Sequence, residues 1–112
     1  MTERKYEFTE ETITTDGTVL HRIRAIRNFG NVKKGDLGGF IEKEDNLSHL
    51  DDAWIYGNAR VYGNAEIFDN VRVFDGAWVY GEAWIYDNAK ISGNVRICGD
   101  ALIHDDIKIY ST

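Results

Sequence analysis

The chain has 112 residues, a net charge of −6 and one cysteine, Cys98. This suits one domain, excludes an internal disulfide and fits a reducing, cytoplasmic compartment. No apolar run approaches the ~18 residues of a membrane span, and the charged start MTERKYEFTEE is no secretion signal. Residues 1–40 hold seven Lys/Arg and six Asp/Glu, whereas residues 41–112 hold six and thirteen. The later part therefore lacks the positive face that direct nucleic-acid binding requires, and it suits a basic protein partner.

Residues 4–29 read as a β-hairpin turning at Thr15-Asp16-Gly17. Tyr6, Phe8 and Ile13 are expected on one face, with Leu20 or Ile23 opposite. Arg22, Arg24 and Arg27 follow on the second strand. They read either as a solvated strand face that discourages edge pairing or as an anion contact. Residues 30–52 read as a turning segment on Gly30, Gly35, Gly38 and Gly39, with Leu37, Phe40, Ile41, Leu47 and Leu50 as apolar cover. Gly38-Gly39 is no phosphate loop, because no Lys-Ser/Thr follows.

Residues 53–112 divide into ten six-residue units, from AWIYGN to IKIYST. The first position of every unit is Ala, Val or Ile, and the third is always Ile or Val. Apolar residues two apart mark a short strand with one buried face. The fifth and sixth positions are pairs such as Gly-Asn, Asp-Asn and Asp-Gly, where the chain bends. A strand and a bend repeated without interruption make a solenoid, and a helical period of 3.6 cannot keep this pattern on one face.

In these units the chain resembles the hexapeptide-repeat superfamily of left-handed parallel β-helices. Ile55, Ala59, Val61, Ala65, Ile67 and Val71 match the superfamily's aliphatic and small positions. Tyr56, Tyr62, Phe68, Phe74, Tyr80 and Tyr86 depart from it, standing where Gly, Ala or an acid is usual. The stretch GDLGGFIEKEDNLS resembles the lead-in of small phage and bacterial members. The resemblance implies an all-β fold: a short left-handed parallel β-helix of about three coils over residues 53–112. An N-terminal β-hairpin and cap over residues 1–52 would precede it, in one compact unit.

Three units per coil would stack each residue on the one 18 positions later. One outward face then carries Trp54, Arg72, Lys90 and Lys108 beside Tyr56 and Phe74. The second carries Arg60, Trp78 and Arg96 beside Tyr62 and Tyr80, and the third Glu66, Trp84 and Leu102 beside Phe68, Tyr86 and His104. All three tryptophans are thus expected outside, as an interface of hot-spot residues or as aromatic ladders that stabilise the coil. Asp69, Asp87 and Asp105 stack in a corner column, where they read as turn residues or as weak cation ligands. The C-terminal coil is expected to expose an edge that another chain covers.

Many members of the superfamily are acyltransferases that use a His, and the resemblance offers His104 as the candidate. Of the three histidines, His21, His49 and His104 lack zinc-ligand spacing. No insertion interrupts the units to build a pocket. The expected function is a non-catalytic, self-associating binding module, dimer or trimer, that needs no cofactor. Resemblance to phage-borne proteins suggests an inhibitor of a host defence protein, in the anti-CRISPR manner. The alternatives are a nucleotide or small-molecule binder using inter-subunit grooves, with Arg60 and Arg96 as anion contacts, and an acyltransferase.

Overall fold

The computed structural model describes residues 4–111; residues 1–3 and Thr112, the last position of the tenth unit, lie outside it. Strands β1 (Tyr6–Thr15) and β2 (Thr18–Ala25) form the antiparallel hairpin. Asp16 and Gly17 both have positive φ, 50° and 80°, so the turn is of type I′, whose twist suits the strands. A bulge between Phe8 and Thr12 shifts the register, pairing Phe8 with Ile23 and Ile13 with Leu20. The two ends of the hairpin consequently serve different places. Tyr6 and Ile23 join the interior of the coil, and Leu20 and Ile13 join a separate cluster with Phe40 and Tyr62 on its outside.

The next strand, β3 (Leu37–Ile41), changes the reading of residues 30–52. It pairs antiparallel with β2 and parallel with β5 (Arg60–Val61), and after a single 3-10 turn at Glu44–Asn46, Leu47 bridges Ile67 in parallel. This stretch is therefore two sides of a first coil, and the lead-in adds a layer to the coils that the repeat predicts. Gly38 and Gly39 are strand residues and make no turn. A Cβ on Gly38 would lie 2.7 Å from Ile23 and Trp54, and one on Gly39 would overlap Ala59 O and lie 2.6 Å from Ile55. Of the expected apolar cover, Phe40, Ile41 and Leu47 are buried, whereas Leu37 and Leu50 are exposed. Buried Asn46 closes the first corner. Its amide accepts from the N–H groups of Glu42 and Lys43 and donates to the carbonyls of Gly63 and Ala65.

The repeat units supply ten two-residue strands. After β4 (Trp54–Ile55) and β5 come β6 (Glu66–Ile67), β7 (Arg72–Val73), β8 (Trp78–Val79) and β9 (Trp84–Ile85). They are followed by β10 (Lys90–Ile91), β11 (Arg96–Ile97), β12 (Leu102–Ile103) and β13 (Lys108–Ile109). From β4 to β10 each pairs in parallel with the strand three units on, giving sheets β1-β2-β3-β5-β8-β11, β4-β7-β10-β13 and β6-β9-β12. The fold is an all-β parallel β-helix with four stacked strands on two of its faces. The first- and third-position Ala, Val and Ile fill its interior, fully buried as far as Ile91.

The corners follow from the fifth position of each unit, which has positive φ from Gly57 to Asp105. Gly63, Gly81 and Gly99 stack so closely that a Cβ on Gly81 would lie 2.7 Å from Gly99 N. Where aspartate holds this position its carboxylate bonds to the coil above: Asp69 accepts from Asp87 N–H at 3.0 Å, and Asp87 from Asp105 N–H at 2.9 Å. Those donors offset the repulsion within the column. Among the described residues no helix is long and apolar enough to cross a membrane.

Lys5 closes the N-terminal end. It is fully buried, and its ammonium donates to Ala53 O at 2.7 Å beside the Phe29 ring. Burial, and then the charge of Arg27, pulls its pKa down to about 8. The unfolded chain keeps the proton to about 10.4, so from pH ~8 towards ~10 it holds a proton that the folded chain has released. Stability from this group therefore rises with pH through that window. Tyr6 acts in the opposite sense above its ordinary value of about 10, because burial and Glu44 push its phenol up. Urea unfolding is expected to show wild-type stability rising from pH 8 towards 10 and Lys5→Met flattening that rise; equal pH slopes would contradict it.

Candidate functional site

The N-terminal segment covers the three outward faces unequally. On the first face, Trp54 is 1% exposed. Tyr6 and Phe29 meet its ring edge-on at 6.2 and 5.2 Å. The expectation that all three tryptophans lie outside thus fails at Trp54, because residues before the repeat pack over it. Further along, Tyr56 and Phe74 stack at 4.6 Å, and Lys90 and Lys108 are exposed.

The hairpin tip lies over the second face. Tyr62 OH donates to Asp16 at 2.9 Å and Arg60 to Thr15 Oγ1 at 2.8 Å, so Tyr62 is buried and not available as a contact residue. Burial and then the Asp16 bond push the Tyr62 phenol up to about 12. Tyr80 stacks on Tyr62 at 5.1 Å. The guanidinium groups of Arg60 and Arg96 lie 4.9 and 4.3 Å from the Trp78 ring centre. The faces of that ring are occupied by the chain's own cations.

The hairpin arginines do not form one anion site. Arg22 pairs with Glu11, donates to Gly38 O and Asn58, and stacks on Phe40. Arg24 pairs with Glu7, and Arg27 donates to His49 O while its Nε is buried without a partner among the described residues. Arg22 and Arg27 tie the hairpin strand and its continuation to the coil, whereas Arg24 stays within the hairpin. His49 is also engaged: Nδ1 accepts from Lys5 N–H at 3.0 Å, Nε2 meets Glu44 at 2.8 Å, and the ring stacks on Tyr6.

The third face is bare of such cover. Phe68, Tyr86 and His104 stack with centroids 5.2 and 5.4 Å apart, and Phe68 meets Trp84 edge-on at 6.1 Å. Trp84 is 45% exposed and Leu102 61%. Two open hollows of about 570 and 550 Å³ share Glu66 and Trp84 as a common wall. Glu44, Asp45 and Phe68 help to line the first; Glu82, Asp100 and Leu102 help to line the second. Asp45, Glu66, Glu82 and Asp100 form no ion pair among the described residues, although ion pairs do form elsewhere, as between Arg4 and Glu44.

Residues 53–66 match the YdcK β-solenoid repeat. That match spans the first two units and the start of the third, in agreement with the coil. None of the curated proteins matches the chain.

At the far corner His104 gains a partner that the sequence reading did not assign, its neighbour Asp105, with Nδ1 3.1 Å from the carboxylate. Asp87, His104 and Asp105 bring possible ligand atoms within 4.8 Å of one another, but Asp87 already accepts a backbone N–H. Cys98 is exposed on the second face. Of the residues proposed for contact, Trp84 and Tyr86 share the bare face, and Trp78 and Tyr80 share the covered one. Glu66, Glu82 and Asp100 were not singled out as contact residues. The 18-residue stacking placed Glu66 in the Trp84 column, whereas Glu82 and Asp100 stack on each other at the corner beside it, a position the sequence reading did not consider.

Proposed function

We propose that the chain is a non-catalytic, self-associating binding module, a hexapeptide-repeat protein with a left-handed coil, working in the cytoplasm of a bacterial host. The six-residue spacing of buried β-branched residues and the 18-residue strand register support that kinship. The observation that carries the function is the unequal cover of the coil. The N-terminal residues occupy one end, cover Trp54 on the first face and lie over the second face, and they leave the third face bare. At the other end the outer sides of β11, β12 and β13 have no strand partner among the described residues, and Ile107 and Tyr110 in the last coil are exposed.

Open strand edges pair readily. In the self-associating reading these edges pair with those of a second copy, and like ends meet about a two-fold axis because the hairpin lies at the opposite end. Light scattering after size exclusion is expected to find a wild-type dimer and a folded Ile107→Lys monomer. A monomeric wild type would remove self-association from this reading.

The acidic third face favours one version of the binding role, an inhibitor held against the basic groove of a host defence protein. The nucleotide reading has less support, because Arg60 and Arg96 already occupy the Trp78 ring. Acetyl-CoA-dependent acyl transfer that disappears in His104→Ala would replace the non-catalytic reading with the enzymatic one.

A further inference from the structure

Trp78 and Trp84 hold the same position in consecutive units, one on the second face and one on the third. At Trp78 the stacked residues one coil before and one coil after are Arg60 and Arg96, and both guanidinium groups lie over its ring. At Trp84 the same two places hold Glu66 and Leu102. The third face thus repeats the aromatic half of a guanidinium–indole stack without its cations, and it surrounds the ring with carboxylates that have none either. The basic groups beside the hollows are already engaged: Lys43 with Asn64 at 3.1 Å, and His49 with Glu44.

We propose that the third face is a docking site for an arginine-rich, extended protein segment. One guanidinium stacks on Trp84, and its neighbours meet Glu66, Glu82 and Asp100. This rests on the binding-module reading but not on its self-association. Arginine is favoured over lysine because a planar guanidinium can stack on the indole while donating from its edge, as Arg60 stacks on Trp78 and donates to the Thr15 hydroxyl; on the third face the edge acceptors are carboxylates. Two hollows sharing the Trp84 wall suit a chain laid across the ring better than a single small ion. The net charge of −6 steers a cationic segment towards the protein and repels nucleic acid and anionic membranes.

The test is fluorescence anisotropy with a fluorescein-labelled peptide of alternating arginine and glycine, beside the same peptide carrying neutral citrulline for arginine. The arginine peptide is expected to bind wild type at least about tenfold more tightly than the citrulline peptide. Trp84→Ala, and separately Glu66→Gln with Glu82→Gln, should each weaken it by about tenfold. Asp105→Asn with Asp106→Asn removes the same charge from another corner and should change affinity less than about twofold.

Equal weakening by the two charge-removing pairs would reduce the effect to diffuse attraction and overturn the proposal. Arginine and citrulline peptides that bind equally would do the same. A wild-type dimer that Trp84→Ala dissociates would assign the face to a second copy instead. A wild-type monomer that still prefers the arginine peptide keeps this site and removes only the end-on dimer.

Discussion

Gly39→Ala is expected to unfold the protein or leave it without a cooperative transition. The methyl group would be driven into Ala59 O and would lie 2.6 Å from Ile55 Cγ2. Backbone on one side and a fully buried core residue on the other leave it no room. The position lies in β3, the strand that joins the hairpin to the coil through β2 and β5. Moving β3 outward to relieve the overlap would break the Phe40 and Ile41 pairing with Arg60 and Val61. Overpacking alone costs about 1–3 kcal/mol, and loss of the joining strand adds to it, which approaches the ~5–15 kcal/mol stability of a whole domain. Urea unfolding followed by circular dichroism checks this. Gly35→Ala is the comparison: its neighbourhood is open, and only its positive φ of 97° is strained. Near-wild-type stability in Gly39→Ala would mean that β3 does not lie against the coil.

Trp54→Ala is expected to cost about 3–5 kcal/mol, the usual range for a buried aromatic cut to alanine. Trp84→Ala is expected to cost less than about 1 kcal/mol, as for a surface change. The two residues occupy the same position in their units, so a local effect would make them equal. Trp54 differs because Tyr6 and Phe29 close over it and Gly38 packs against its ring. Its removal leaves a cavity where the N-terminal segment meets the first face. Chemical denaturation of both variants decides the matter, and equal losses would contradict the cover described for Trp54.

The coil was legible because its causes are local. A third-position Ile or Val points inward wherever the unit occurs, and a fifth-position Gly or Asp accepts positive φ at each corner. The first coil was less legible because residues 37–47 use another spacing. Ile41 and Leu47 keep the inward positions, and Asn46 closes the corner with side-chain bonds that no period announces. Gly38 and Gly39 were read as turn residues because the usual reason for paired glycines is a bend. Here the reason is the close approach of another strand.

The site divides in the same way. The sequence by itself determined the parallel coil, its interior and the columns of outward residues, including Glu66, Trp84 and Leu102 together on one face. Tertiary structure alone decided which face stays open. Trp54, Trp78 and Trp84 have the same local pattern, but the first is buried, the second lies between guanidinium groups and the third is bare. That difference comes from contacts such as Lys5 with Ala53 and Tyr6 with Leu47, between residues more than forty positions apart. A six-residue period specifies which side of a strand a residue takes, because that follows from backbone geometry. It carries no information about what another part of the chain lays over that side.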